Sequence, residues 1–450
     1  MNEELFDDLA RQRLSVPARL PGGLNRRRFL QLAGAGAGVA SLSPMLSSLQ
    51  AFAAPALGAT DGILVLIMME GGNDGLNTVV PTSESRYYSL RPGLAIPAAS
   101  ALNIAPGFGL HPALAKLKTR YDQGDVAVVQ GVGYPNPDLS HFTSMGIWMN
   151  GWAGGAQPGG PTGWIGRYID GLPNAASESL YGVVMGTSVP LHMVGSVGRA
   201  SGLPQRISGA FGIDRRDASD VRMFDAIGAF SGGATGLGQW GDLTAKVERD
   251  TLDLATKIQP AYQGTFPDSR LGRELTLTAK LINTNLGVRV FSTSIGGFDT
   301  HSTQAASHAE QLSEIDDALD SFFATLAPTW RNRVTVMTFS EFGRRPERND
   351  DLGTDHGTAA PLFVIGSRVK GGMYGSPART NDLDQYGNLK HHVDFRQVYA
   401  TVLDTWLRSD SRQLLGYNFP SLGFFDGGPG DGTAVPAPPN RRRRRKRLTV

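Results

Sequence analysis

Asp74, Ser140 with His141, Asp299 with His301, Glu341, and Asp355 with His356 are the side chains of this sequence best suited to do chemistry. The imidazoles of His301 and His356 with three or four of the carboxylates of Asp74, Asp299, Glu341 and Asp355 form a mixed nitrogen and oxygen donor set, which suits Zn²⁺, Mn²⁺, Mg²⁺ or Ca²⁺. Divalent ions polarise a phosphoryl or sulfuryl oxygen and can activate a serine hydroxyl as a nucleophile. Ser140 directly precedes a stretch with helical spacing, Phe142 to Asn150. The free N–H groups and dipole of a helix N-terminus favour an anion or an alkoxide there. Arg91, Arg344 and Arg345 are candidates to hold an oxyanion through paired N–H groups. Each residue also has an ordinary role open to it: Asp74 in a turn, Ser140 as an N-cap, Asp299 as the cap of a following helix, Glu341 paired with an arginine.

These residues must be positioned by the apolar runs beside them. Ile63 to Met69 is a continuous apolar run ending in the glycine-rich turn Glu70-Gly71-Gly72-Asn73-Asp74. Asp125 to Gln130, Val288 to Phe291, Val334 to Phe339 and Pro361 to Ile365 are further strand-like runs, with Val183 to Met185 a shorter one. Helical spacing lies between them, at His111 to Tyr121, Arg273 to Asn283 and Leu312 to Leu326. Unbroken apolar strands alternating with helices predict an α/β fold, a three-layer α/β/α sandwich around a mostly parallel sheet. In such sheets sites form at the carboxyl ends of the strands, and the candidate turns all fall beside a strand end. Residues 60–425 are expected to form this domain, with a helical insertion or cap at about 195–270.

The termini have a different character. Asn25-Arg26-Arg27-Arg28-Phe29-Leu30-Gln31 leads into a small-residue apolar run, Leu32 to Leu42, and then Ala51-Phe52-Ala53. This order of features reads as a twin-arginine export signal over residues 1–53, with the Tat export machinery as partner and a periplasmic or extracellular destination. The apolar run is too weak for a membrane span. Gly427 to Val450 reads as a disordered Pro/Gly linker and a basic tail, Arg441 to Arg447. That tail could touch an anionic envelope polymer, while the near-neutral total charge of +2 gives no sign of a specific nucleic-acid partner. The absence of cysteine excludes thiolate metal sites and disulfides, so a transition-metal site must draw on only eight histidines and on carboxylates.

Taken in order, the motifs EGGNDGLN (Glu70 to Asn77), Ser140-His141, FDTH (Phe298 to His301), FSEFGR (Phe339 to Arg344) and DHG (Asp355 to Gly357) resemble a poorly characterised bacterial family of twin-arginine-exported proteins within the alkaline phosphatase and sulfatase superfamily. The resemblance spans about residues 60 to 425. It implies Asp74 as a metal carboxylate, Ser140 as the nucleophile with His141 or Arg344 assisting, and Asp299, His301 and His356 as ligands of one metal. It further implies a metal-dependent hydrolase of phosphate or sulfate esters, acting on a small-molecule or glycan ester. Ser340-Glu341 stands where phosphatases carry Asp-His, and the histidine after Asp299 follows at a spacing of two where phosphatases use four. Those departures keep open a non-catalytic, metal-binding envelope protein that binds glycan or a protein partner.

Overall fold

The computed structural model describes residues 55–154, 162–205 apart from 179, 187 and 199, and 256–429, with isolated positions between 218 and 254. The expected export signal, the basic tail and most of the expected insertion at about 195–270 lie outside the described residues. No helix among the described residues is long and apolar enough to cross a membrane.

Nine strands build the main sheet: β1 (Ile63–Met69), β5 (Val126–Gly133), β6 (Gly182–Met185), β7 (Ala200–Leu203), β8 (Val290–Ile295), β9 (Val334–Phe339), β10 (Ala360–Ile365), β11 (Gly372–Gly375) and β12 (Val393–Asp394). A small antiparallel sheet is formed by β2 (Val79–Val80), β3 (Leu102–Ala105) and β4 (Phe108–Leu110). The main order is β11-β5-β10-β9-β1-β8-β6-β7, with β12 also paired to β5. Every residue of β1, β5 and β9 is buried, as strands covered on both faces must be.

Of the helices, six frame the sheet: α1 (Ala115–Gln123), α2 (His141–Asn150), α3 (Trp164–Asp170), α4 (Arg270–Asn283), α5 (Gln304–Thr325) and α6 (Phe395–Thr401). Consecutive residues of β8 reveal the layering. Ser292 faces His192, whose Nε2 lies 2.7 Å from its hydroxyl, while Thr293 donates to Glu274 of α4. Successive side chains of a strand point to opposite faces, so α4 and the His192 segment cover different sides of the sheet. On the His192 side, aromatic stacking joins the helices: Trp148 of α2 lies 4.3 Å from Phe395, and Trp164 of α3 lies 4.0 Å from Tyr399 of α6. The three-layer, mostly parallel α/β architecture expected from the apolar runs is therefore the one observed.

One strand runs against the others. β10 is antiparallel to both β5 and β9, whereas the remaining pairings of the main sheet are parallel. Its amino end therefore lies where its neighbours have their carboxyl ends. Residues that precede β10 are delivered to the same edge as residues that follow β1, β5, β8 and β9. That reversal is what brings Asp355-His356 to the site.

Candidate metal centre

Asp299 stands at the centre of the edge, in the turn after β8. Three imidazoles surround its carboxylate. His301 Nε2 lies 2.9 Å and His356 Nε2 3.1 Å from Asp299 Oδ1, and those two nitrogens are 3.1 Å apart. His141 Nε2 lies 3.4 Å from Asp299 Oδ2. The ligand atoms of His141, Asp299 and His356 all fall within 4.8 Å of one another. Atoms bound at about 2.0–2.1 Å to one ion sit roughly 3.0–3.4 Å apart in octahedral or tetrahedral geometry. The contacts of His301, His356 and His141 with Asp299, at 2.9, 3.1 and 3.4 Å, lie at or close to that range, while the triad as a whole spans up to 4.8 Å and would draw together around an ion.

The outer partners fix how each ring presents itself. His141 Nδ1 lies 2.7 Å from Glu341 Oε1, His301 Nδ1 3.0 Å from Asp355 Oδ1, and His356 Nδ1 2.8 Å from the Leu139 carbonyl. An oxygen acceptor on each Nδ1 assigns the proton there and leaves the Nε2 lone pair facing Asp299. A carboxylate or carbonyl behind each ligating imidazole is the usual support of a metal-binding histidine. His141 Nε2, moreover, is buried and has no hydrogen-bond partner. Buried polar atoms are normally satisfied, so this orphan lone pair fits a cation at the centre of the cluster. Asp299 and His301 are about half exposed, which leaves the centre open to solvent on one side.

Electrostatics agree with this arrangement. Burial pushes the Asp299 carboxyl up, but the hydrogen bond and positive charge of Arg344 outweigh it and hold the group at about 2, fully ionised at neutral pH. Asp355 is held below the usual carboxylate range chiefly by its hydrogen bond from Asn349.

The residues expected to act together thus separate into layers. Asp299, His301, His356 and His141 converge. Glu341, expected as a ligand, is almost fully buried one layer behind: Oε1 takes the Gly71 N–H and His141, and Oε2 takes the Ser340 hydroxyl. Asp355 likewise stands behind His301. Asp74 is not part of the convergence. Its Oδ2 pairs with Arg91 at 2.5 Å and accepts from Gln304 at 2.5 Å, while Oδ1 accepts from the Asn77 N–H. Burial pulls its pKa upward and the Arg91 charge more than reverses that, leaving the pKa lowered.

Arg344, expected to assist catalysis, is wholly buried and spent on structure. Its guanidinium donates to the carbonyls of Gly71, Gly72, Phe298 and Thr354 and, at 2.6 Å, to Asp299 Oδ1. Arg91 is similarly committed to Asp74, Asn77 and the carbonyls of Arg345 and Pro346. Of the three arginines considered for an oxyanion, Arg345 alone keeps a partly exposed guanidinium, with long contacts of 3.4 Å to Glu347 and 3.3 Å to the Tyr386 carbonyl. Ser140 is the N-cap residue of α2, exposed, with its hydroxyl making no capping bond. It adjoins His141 on one side and the Leu139 carbonyl that orients His356 on the other.

Two further groups support the centre from outside the donor set. Gly71 is one: it takes φ +115°, and a Cβ there would sit 2.4 Å from the Asp299 backbone nitrogen. Gln304 is another, bridging Asp74 and the Thr354 hydroxyl. The doubled glycine after β1 signals a close backbone approach. Nothing in the local pattern marks Gln304.

Solved structures similar to this chain include the PsFucS1 sulfatase from Pseudoalteromonas sp., 11% identical over 88% of this chain and 74% of that one, TM-score 0.36. The lipoteichoic acid synthase LtaP from Listeria monocytogenes is 11% identical over 75% and 74%, TM-score 0.30. A protein in the alkaline phosphatase superfamily from Vibrio parahaemolyticus is 10% identical over 76% and 70%, TM-score 0.27. No curated protein matches the sequence. The family model described as "Protein of unknown function (DUF1501)" matches residues 126–418, well over half of the chain and most of the segments that form this centre, and the chain belongs to that family.

Proposed function

We propose that this protein is a metal-dependent hydrolase of phosphate or sulfate esters with Ser140 as its nucleophile. The observation that carries the reading is the convergence of three Nδ1-anchored imidazoles on one ionised carboxylate, beside a free serine hydroxyl. His141, Asp299, His301 and His356 would hold the ion. With three imidazoles and one carboxylate, the set suits Zn²⁺ or Mn²⁺ better than the oxygen-preferring Mg²⁺ or Ca²⁺. Once bound, the ion would supply Lewis-acid polarisation of a phosphoryl or sulfuryl oxygen.

The protein's own groups divide the remaining work. Arg344 holds Asp299 in place and keeps it ionised. Glu341, Asp355 and the Leu139 carbonyl keep the three rings aimed. The N-terminus of the ten-residue helix α2 favours negative charge developing on Ser140 Oγ as it attacks. Arg345, whose charge acts on Asp355 and whose guanidinium is partly exposed, would meet a non-bridging oxygen of the ester.

The test is elemental analysis of purified protein together with turnover of aryl phosphates, phosphodiesters and aryl sulfates. A bound transition metal, and turnover lost in Ser140→Ala with the metal retained, is the expected result. Turnover that persists in Ser140→Ala, or protein that retains no ion, would overturn the mechanism. Metal with no turnover of any ester would favour a non-catalytic metal-binding envelope protein.

The domain limits and the destination are proposed on sequence alone: a twin-arginine signal at 1–53, the α/β domain at 60–425 with an insertion at about 195–270, and a periplasmic or extracellular location. Fusing residues 1–53 to a reporter tests the export reading, which fails if replacing Arg26 and Arg27 by lysine leaves export unchanged.

A further inference from the structure

A cavity of about 400 Å³ opens between the ends of β1, β6 and β8 and helix α2. Small-molecule sites begin at about this size. Its walls include three methionines, Met68, Met149 and Met185, from three different elements, with the polar side chains of Glu70, Ser188 and Ser294. It is joined to the metal centre through the backbone. The Glu70 carbonyl accepts from the Phe298 N–H, next to Asp299, and the following residue, Gly71, contacts both Glu341 and Arg344. Met149 lies on the same helix as His141.

The one charged side chain among the described lining residues is Glu70; Arg270 reaches the Ser294 carbonyl from outside the lining, and its charge is paired with Glu274. Among the described residues Glu70 has no ion-pair or side-chain hydrogen-bond partner, and no Lys, Arg or His is among the described lining residues. A carboxylate left without a counter-charge beside an apolar wall repels a second anion and attracts a cation. Methionine thioethers are soft and adaptable, and pack well against the methyl or methylene groups around a substituted nitrogen. The Ser188 and Ser294 hydroxyls supply further acceptors.

We infer that this cavity binds an organic cation, a small primary or quaternary ammonium group on the alcohol side of the ester, rather than an anionic sugar. The inference rests on the proposed hydrolytic reading for the word "ester", but its test reads binding alone. Choline and its neutral carbon isostere, 3,3-dimethylbutan-1-ol, are titrated into the metal-loaded full chain and followed by calorimetry or ligand-observed NMR. Choline should bind about tenfold more tightly than the isostere, the scale of one charge-assisted contact. Glu70→Gln should erase that difference while leaving the isostere's affinity and the metal content unchanged.

Equal affinity of the two probes for the unaltered protein overturns the inference whatever the variant does, and so does a choline preference that survives Glu70→Gln. A choline preference lost in Glu70→Gln, in a protein that hydrolyses no ester, would retain the cation site and reject the hydrolase. Ester turnover with no choline preference would do the reverse.

Discussion

Glu341 separates the layered centre from a simple cluster of ligands. In Glu341→Gln the side chain keeps its shape and its burial. Its amide oxygen can still accept from the Gly71 N–H or from His141, and its amide nitrogen can donate to Ser340 Oγ, reversing the bond that Ser340 donates to Glu341 Oε2 at 3.0 Å in the unaltered protein. What is lost is the negative charge behind His141 Nδ1, the group that fixes the tautomer and raises the basicity of Nε2. Removing such an outer partner lowers metal affinity about 10- to 100-fold, or about 1.4–2.7 kcal/mol. The metal-free protein should behave oppositely. Glu341 is 2% exposed and, among the described residues, has no Lys or Arg within ion-pair distance, so neutralising it removes a poorly compensated buried charge. The variant should bind Zn²⁺ more weakly in a competitive chelator titration, yet melt no lower than the unaltered protein when both are stripped of metal. Unchanged Zn²⁺ affinity would refute the outer-layer role. A lower melting temperature of the metal-free variant would show that Glu341 is held for folding alone.

Other outcomes follow from the same geometry. Asp299→Asn should abolish metal retention, read by elemental analysis after dialysis, because it weakens the one group that all three imidazoles face. Gly71→Ala forces a Cβ against the Asp299 backbone at a φ that costs a non-glycine residue about 1–3 kcal/mol, so both thermal stability and metal content should fall. Arg91→Ala leaves Asp74 buried and unpaired and should cost about 3–5 kcal/mol in a denaturant titration. The Asp74 pKa is lowered on folding, so its stabilisation is present above its unfolded value of about 3.9 and is lost as pH falls through the folded one. Asp74→Asn should therefore flatten the loss of stability below about pH 4, as followed by circular dichroism.

Much of the frame was legible because buried parallel strands write themselves as unbroken apolar runs. Ile63 to Met69 and Val334 to Phe339 coincide with β1 and β9, and Pro361 to Ile365 falls one residue short of β10. Helix α2 begins one residue before the expected Phe142, which places Ser140 at its N-cap as anticipated. Two things were not legible. Apolarity carries no direction, so the reversal of β10 could not be read from Pro361 to Ile365. Nor does residue type say which layer a side chain occupies. Glu341 and His141 were both marked, but whether a carboxylate touches the ion or stands behind a histidine depends on side-chain orientation in a turn. That Asp74 stands apart from the cluster was hidden for a related reason. Its partner Arg91 stands at the C-cap of a short helix, Ser85–Leu90, and an ion pair between separate elements leaves no local pattern.

The reversed strand also bears on the order in which the molecule can be assembled. His356 and the Leu139 carbonyl that aims it are 217 positions apart, and His141 is 200 positions from Glu341. Both pairs lie at the edge where β10 sits between β5 and β9, so each joins segments far apart in the chain. Closing so long a loop is slow, and an unfolded chain offers no part of the centre in usable form. Metal capture would then be among the last events of folding and would act as a latch on the central sheet. Stripping the ion should loosen β10 and the loops beside it first, so hydrogen exchange in β10 would serve as a gauge of whether the latch is closed.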